Sequence, residues 1–181
     1  DFPATEAGYP YAVLASGEDA LEVHNAYPVW WQELHAELLA DNDFAFFSRS
    51  GWLGAPALAP VVWAGDQRTS FDTDDGLPTI IPLGLGLSAC GVPVYADDVA
   101  GYQSGGNPPT TKALFCRWAS LGAYSPILRT HHGAFEEDNW QFFHDEETTA
   151  HWAEVARENM RLFPYRYGLA REAADVGTPM I

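Results

Sequence analysis

Residues 47–67 read Phe-Ser-Arg-Ser-Gly-Trp-Leu-Gly-Ala-Pro-Ala-Leu-Ala-Pro-Val-Val-Trp-Ala-Gly-Asp-Gln. One apolar run stops at Ser48-Arg49-Ser50-Gly51 and a second at Gly65-Asp66-Gln67, with a short loop containing Pro and Gly between them. Short apolar runs bounded by turn residues read as strands that present polar side chains at one end. Asp66 is the first candidate for chemistry. A carboxylic acid that must hold a proton at working pH needs partial desolvation, and Trp63, three residues earlier, is a ready apolar wall. The same residues also read as a simple turn, since Asp is a favoured turn residue.

Working outward, the pattern recurs. A helix from about Pro28 to Ala40 places Trp30, Trp31, Leu34, Leu38 and Leu39 on one face, which predicts core packing, and ends at Asp41-Asn42 before the run Phe44–Phe47. The run Val61–Ala64 leads to a polar loop and a helical stretch, Ile80–Cys90, apolar almost all round and therefore expected to be buried. A third run, Val92–Ala96, continues into Asp97-Asp98-Val99-Ala100-Gly101-Tyr102 and a loop over 103–109. Thr110 or Thr111 caps the next helix, which carries Leu114, Phe115, Trp118 and Leu121, and a fourth run spans Tyr124–Leu128 before Arg129-Thr130-His131-His132-Gly133. A last helix opens at Asp145-Glu146-Glu147 and shows Trp152, Val155, Ala156, Asn159, Met160 and Phe163 on one face, until Pro164 kinks or stops it.

Strands alternating with helices predict an α/β fold with a parallel sheet, here about four βα units. Arg49, Asp66, Asp98 and the Arg129/His131 pair each fall one to four residues past an apolar run. In parallel sheets and barrels the carboxyl ends of the strands line the ligand site. Four polar groups delivered to one edge carry more weight than any one of them.

The chain of 181 residues is 47% hydrophobic and 14% aromatic, enough for one domain with a core. Its net charge of −16 repels nucleic acid and anionic membranes and favours neutral or cationic partners. No apolar run reaches the roughly 18 residues of a membrane helix, and no signal peptide is visible. Cys90 and Cys116 sit in apolar segments without Cys-x-x-Cys spacing and read as buried free thiols, with a single disulfide as the alternative.

The segments Ser48-Arg49-Ser50-Gly51, Val62-Trp63-Ala64-Gly65-Asp66, Asp98-Val99-Ala100-Gly101-Tyr102 and Arg117-Trp118 through Gly122-Ala123-Tyr124-Ser125-Pro126 to Arg129-Thr130-His131 resemble, in order and spacing, the second half of the catalytic barrel of family 31 glycoside hydrolases. That is the α-glucosidase, α-xylosidase and sulfoquinovosidase group. His24-Asn25, Tyr27-Pro28 and the stretch 162–179 resemble flanking positions.

The resemblance implies a (β/α)8 TIM-type barrel of which this chain supplies the later half. Residues 1–25 would lie around the nucleophile strand and 26–181 would form the later βα units. It also implies retaining hydrolysis of an α-linked carbohydrate without cofactor or metal. Asp66 would be the general acid/base, Arg49 would reach the sugar beside the scissile bond, Asp98 and His131 would bond sugar hydroxyls, and Trp63 would form part of the apolar wall. The contacts that discriminate one sugar from another lie, in this family, largely on the other half of the barrel.

Retaining chemistry needs a second carboxylate about 5–5.5 Å from the first. The family carries it in a segment like Asp-Phe-Gly-Glu. This chain has Asp1-Phe2 followed by Pro3-Ala4-Thr5-Glu6, without the Gly-Glu. The favoured reading places the nucleophile in sequence preceding these residues; Asp1 is the candidate within them and Glu6 a weaker one, and an inactive carbohydrate-binding relative is the alternative. Asp97 is a further departure, because many relatives carry a small or neutral polar residue there. It is expected to face solvent or pair with an Arg, the alternative being a site for a cationic sugar or, with Asp98, His131 and His132, a metal. Gly84-Leu85-Gly86 suits a helix packed closely on a sheet better than a dinucleotide loop. Trp140 is a possible sugar platform. His144 and His151 read as surface-loop or helix-start residues. Half a barrel leaves open edges, so the isolated chain is expected to fold poorly or associate, requiring the remainder of the barrel.

Overall fold

The computed structural model describes residues 13–41, 43–102, 108–131, 133 and 135–181. Asp1, Glu6, Asn42, residues 103–107 and His132 lie outside the described residues. The chain divides into two compact units, 1–62 and 63–181, with the division inside the second strand.

In the first unit, helix α1 covers Tyr27–Leu39 with Pro28 in its opening turn, where the missing N–H is no loss. Strand β1 (Phe47–Ser48) lies parallel to β2 (Val61–Trp63), pairing Phe47 with Val61 and Ser48 with Val62. One 3₁₀ turn, Ala55–Ala57, interrupts the connection. The fully buried side chain of α1 is Gln32, whose Nε2 donates to Ser48 Oγ at 2.9 Å and to the Ser50 carbonyl at 2.6 Å. The core packing expected of the aromatic and leucine face is not found: Trp30, Trp31, Leu34 and Leu38 are exposed. Helical periodicity reports which residues share a face, not whether that face is covered.

The second unit continues from β2, where the Ala64 N–H donates to the Ala96 carbonyl at 2.8 Å beside β3 (Val94–Ala96). Helices α2 (Ile80–Ala89), α3 (Lys112–Gly122), α4 (Glu146–Arg161) and α5 (Phe163–Val176) follow. The core gathers Ile80, Tyr95, Val99, Leu114, Phe115, Trp118 and Val155. Helices α3 and α4 start where the sequence predicts, with Thr111 capping α3 through Leu114 and Asp145 capping α4 through Thr148. Lys112 ties these starts together, its Nζ 2.7 Å from Asp145 Oδ2. Pro164 falls in the first turn of α5, so it divides the last helix in two.

Three expectations are corrected here. Helix α2 forms, but only Ile80 and Gly84 are buried, while Ile81, Leu83 and Leu85 are exposed. The contact runs through Gly84, where a Cβ would come within 3.1 Å of the Tyr95 ring, and one narrow seam cannot cover the whole apolar surface. The fourth run forms no strand over 124–128: Tyr124 and Ser125 donate to the Leu121 and Gly122 carbonyls, continuing the winding of α3, and Pro126 has no N–H for a ladder. Parallel pairing survives as a single bridge, Val99 with Thr130. Cys90 is exposed and Cys116 half-buried, both as free thiols, because Cys90 follows the exposed end of α2.

Candidate functional site

Asp98 is the centre of the strand-end cluster. It follows β3 by two residues and is fully buried, yet it is held from two sides. Trp63, the last residue of β2, donates its indole N–H to Asp98 Oδ2 at 3.0 Å. Arg129 places Nε 2.6 Å from Asp98 Oδ1, with the N–H turned off the line of the oxygen, so this contact is an ion pair more than a directed hydrogen bond. The guanidinium also lies 5.8 Å from the centroid of the Trp63 ring, within cation–π range. Burial pushes the Asp98 carboxyl up, while Arg129, the charge of His131 and the Trp63 N–H pull it back.

The backbone turns sharply after Asp98. Ala100 and Gly101 both have positive φ, 78° and 80°, and a Cβ at Gly101 would sit 2.8 Å from the Arg68 carbonyl. That close approach lets the Tyr102 N–H donate to the Gln67 carbonyl at 2.8 Å, stitching the loop after Asp98 to the loop that carries Asp66. Gln67 is itself buried and donates Nε2 to the Ala64 carbonyl at 2.9 Å, which fixes the turn through Gly65 at φ 98°. Asp66 is half-buried at that turn.

His131 follows the bridge at Thr130, exposed, with its ring edge against Tyr102 at a centroid separation of 4.7 Å. Its Nδ1 accepts from the Gly133 N–H at 3.1 Å, so in the neutral ring Nε2 carries the hydrogen and is a donor.

The second unit therefore brings together Trp63, Asp98, Arg129 and His131, with Asp66 on an adjoining loop. Arg49 belongs to the first unit, exposed between Ser48 and Ser50, the two residues whose oxygens accept from Gln32. Asp1 lies outside the described residues. Asp97 does not face solvent, and among the described residues it forms no ion pair with an Arg. It is 3% exposed and accepts from Trp118 Nε1 at 2.7 Å, since successive strand residues point to opposite sides and its side holds the core. Trp140 is accounted for as packing: half-buried against the core, with its N–H on Thr148 Oγ1 at 3.1 Å. His144 accepts the Gln141 N–H in a loop, and His151 lies inside α4. Among the described residues no group of three or more His, Cys, Asp or Glu could hold a metal ion.

Three contributors escaped the sequence reading: Gln32, Gln67 and the indole N–H of Trp118. The only signal was a Gln inside an otherwise apolar or glycine-bounded stretch, and a polar edge on an aromatic read as core. A cavity of about 530 Å³ lies between α3 and α4, lined by Ser120, Tyr124, His151, Glu154, Glu158 and Arg161. It shares no residue with the strand-end cluster, and its charges partly neutralise each other, as in the Arg161–Glu158 pair at 2.9 Å.

Comparison with known proteins decides the family. The sequence profile of the glycosyl hydrolases family 31 TIM-barrel domain matches residues 4–169. The chain belongs to glycosyl hydrolase family 31. Its fold is accordingly part of that family's TIM barrel. It is 36% identical over 171 residues to a sulfoquinovosidase of Agrobacterium fabrum, covering 92% of this chain and 26% of that protein. It is 30% identical over 162 residues to an alpha-xylosidase of Saccharolobus solfataricus, covering 86% and 21%. Among solved structures, a GH31 family sulfoquinovosidase from E. rectale in complex with the aza-sugar inhibitor IFGSQ superposes with a TM-score of 0.88 at 33% identity, covering 92% of this chain and 26% of that one. This family 31 chain thus spans about a quarter of the length of the curated relatives it matches.

Proposed function

We propose that the protein carrying this chain hydrolyses α-glycosidic bonds with retention of configuration, and that α-sulfoquinovosides are its substrate class. The observation that supports this most is Asp98, fully buried yet held between Trp63 and Arg129 beside the loop of Asp66. A buried carboxylate anchored by an indole and a guanidinium at strand ends is preorganised to accept a sugar hydroxyl, where mobile surface acids are not. His131 would donate to a neighbouring hydroxyl, Trp63 would wall the site, and Arg49 would reach the sugar beside the scissile bond.

In this reading the nucleophilic carboxylate, Asp1 or a residue preceding it, attacks the anomeric carbon as the C–O bond to the leaving group breaks and Asp66 protonates the departing oxygen. Asp66, now a carboxylate, takes a proton from water, whose oxygen displaces the enzyme ester. The substrate class rests on relatedness: the sulfoquinovosidase relative shares 36% identity and the alpha-xylosidase 30%. The net charge of −16 works against an anionic sugar, so its sulfonate must be met by cationic groups outside the strand-end cluster, where Arg129 is already paired with Asp98.

Nitrophenyl α-sulfoquinovoside, α-glucoside, α-xyloside and α-galactoside, offered to the full protein, test the assignment. Turnover of the sulfoquinovoside at the highest kcat/KM is expected. Turnover of a neutral glycoside above it would overturn the substrate class, and binding without turnover would favour the inactive carbohydrate-binding relative. Asp66→Ala should lose hydrolysis of poor leaving groups more than of nitrophenolate, because only the former need protonation.

A further inference from the structure

Asp97 and Asp98 are consecutive buried carboxylates, each gripped by a different indole N–H. Trp118, from α3, donates to Asp97 Oδ2 at 2.7 Å on one side, and Trp63, from β2, donates to Asp98 Oδ2 at 3.0 Å on the other. Two adjacent residues anchored on opposite sides fix the rotation of the peptide between them, as two pins fix a plate. Strand β3 ends at Ala96; beyond Asp98, Val99 bridges Thr130 and donates its N–H to the Arg129 carbonyl at 3.0 Å, before the positive φ angles of Ala100 and Gly101 turn the chain away. Of the two residues flanking Asp98, Val99 is held through its backbone and Asp97 through its side chain.

We propose that Asp97 is a positioning residue, whose bond to Trp118 sets the direction in which Asp98 is presented to Trp63, Arg129 and the substrate hydroxyl. The role of Asp98 in binding substrate rests on the function proposed above. The orientation itself does not. A buried carboxylate beside another is a costly way to satisfy one indole N–H, since a neutral acceptor would serve without a second charge. Burial pushes the Asp97 carboxyl up to about 6, and Asp98 adds to the rise while the Trp118 N–H and Arg129 oppose it. What the position has to supply is a directional acceptor for the Trp118 N–H, which the amide oxygen of Asn can also provide.

The test uses Asp97→Ala, Asp97→Asn and Trp118→Phe in the full protein, with two readouts. The first is exchange of the Trp63 indole N–H, followed by NMR without substrate. If Asp97 orients Asp98, removing the acceptor or its donor loosens the Trp63–Asp98 bond, and exchange at Trp63 accelerates on the order of tenfold, while Asn restores most of the protection. A purely structural role would speed exchange at Trp63 no more than at core amides that report global unfolding, overturning the proposal. The second readout is steady-state hydrolysis. A loss in kcat/KM on the order of tenfold or more is expected for Asp97→Ala and Trp118→Phe, with Asp97→Asn close to wild type, because small misplacements of a binding group cost rate steeply. Asn as impaired as Ala in both readouts would also overturn it. An inactive wild-type protein would sink the glycosidase assignment and leave the exchange experiment to decide the role of Asp97.

Discussion

Helices α1 and α3 are close in length and both carry aromatics and leucines at helical spacing, yet they end in opposite situations. In α3, Leu114, Phe115, Trp118 and Ala119 are buried, against Val99 and Ala100 after β3 and Val155 of α4. In α1, Trp30, Trp31, Leu34 and Leu38 are exposed, and the buried residue is the polar Gln32. The apolar stripe of α3 is covered among the described residues, and that of α1 is exposed. The contrast separates what a hydrophobic stripe establishes, a shared face, from what only the neighbouring chain establishes, its burial.

The largest break in that comparison should come at Trp118. Replacing it with Ala removes the largest fully buried side chain and leaves the Asp97 carboxyl without its donor, so a loss of about 3–5 kcal/mol is expected in urea unfolding. The matching change at exposed Trp31 should cost a small fraction of that. Next comes Asp97 itself. Its folded pKa, about 6, lies above the ordinary value of 3.8, so between these pH values the unfolded chain releases a proton that the folded chain keeps. Stability therefore falls as pH rises from about 4 to about 6, and the cost persists above. Asp97→Asn should flatten that segment of the stability profile and gain about 1–3 kcal/mol at neutral pH relative to wild type, read from unfolding at a series of pH values. A parallel pH profile for the variant would show that Asp97 is not the titrating group.

A subtler pair follows. In α3, a Cβ at Gly122 would lie 2.9 Å from Val99 Cγ2 and 3.0 Å from Leu128 Cδ1, whereas at Gly86 of α2 nothing lies within 4 Å. Gly→Ala gains up to about 1 kcal/mol of helix propensity at either site, but overpacking at Gly122 costs about 1–3 kcal/mol. Gly86→Ala should raise the melting temperature and Gly122→Ala lower it. The same sign at both would mean that the fit of α3 against Val99 is looser than the structure shows.

These contrasts also mark what could be read from the sequence. The alternation of strands and helices, the helix starts at Thr110 or Thr111 and at Asp145, and the gathering of Trp63, Asp98, Arg129 and His131 were legible, because each depends on local pattern and on where parallel strands deliver their ends. The strand over 124–128 was not, since apolar content alone does not outweigh Pro126 and the continued winding of α3. The burial of α1 and α2 was not, because coverage is set by residues distant in sequence. Gln32, Gln67 and the Asp97–Trp118 bond escaped for a related reason: hydrogen bonds between elements leave no periodic trace.

The smallest expected effect is the most discriminating for the proposal that this chain requires the remainder of a barrel. Leu38 is 66% exposed, so Leu38→Gln in the isolated 181 residues should change stability by no more than about 0.5 kcal/mol, and by reducing bare apolar surface it should lessen self-association in gel filtration. In the full protein, a covered Leu38 would turn the same substitution into the burial of an unpartnered amide, costing about 2 kcal/mol or more. A substitution silent in the piece and damaging in the whole would show that the face of α1 is an internal surface. If it is silent in both, that face is solvent-facing in the complete molecule too, and the barrel requirement must be sought at the strand edges.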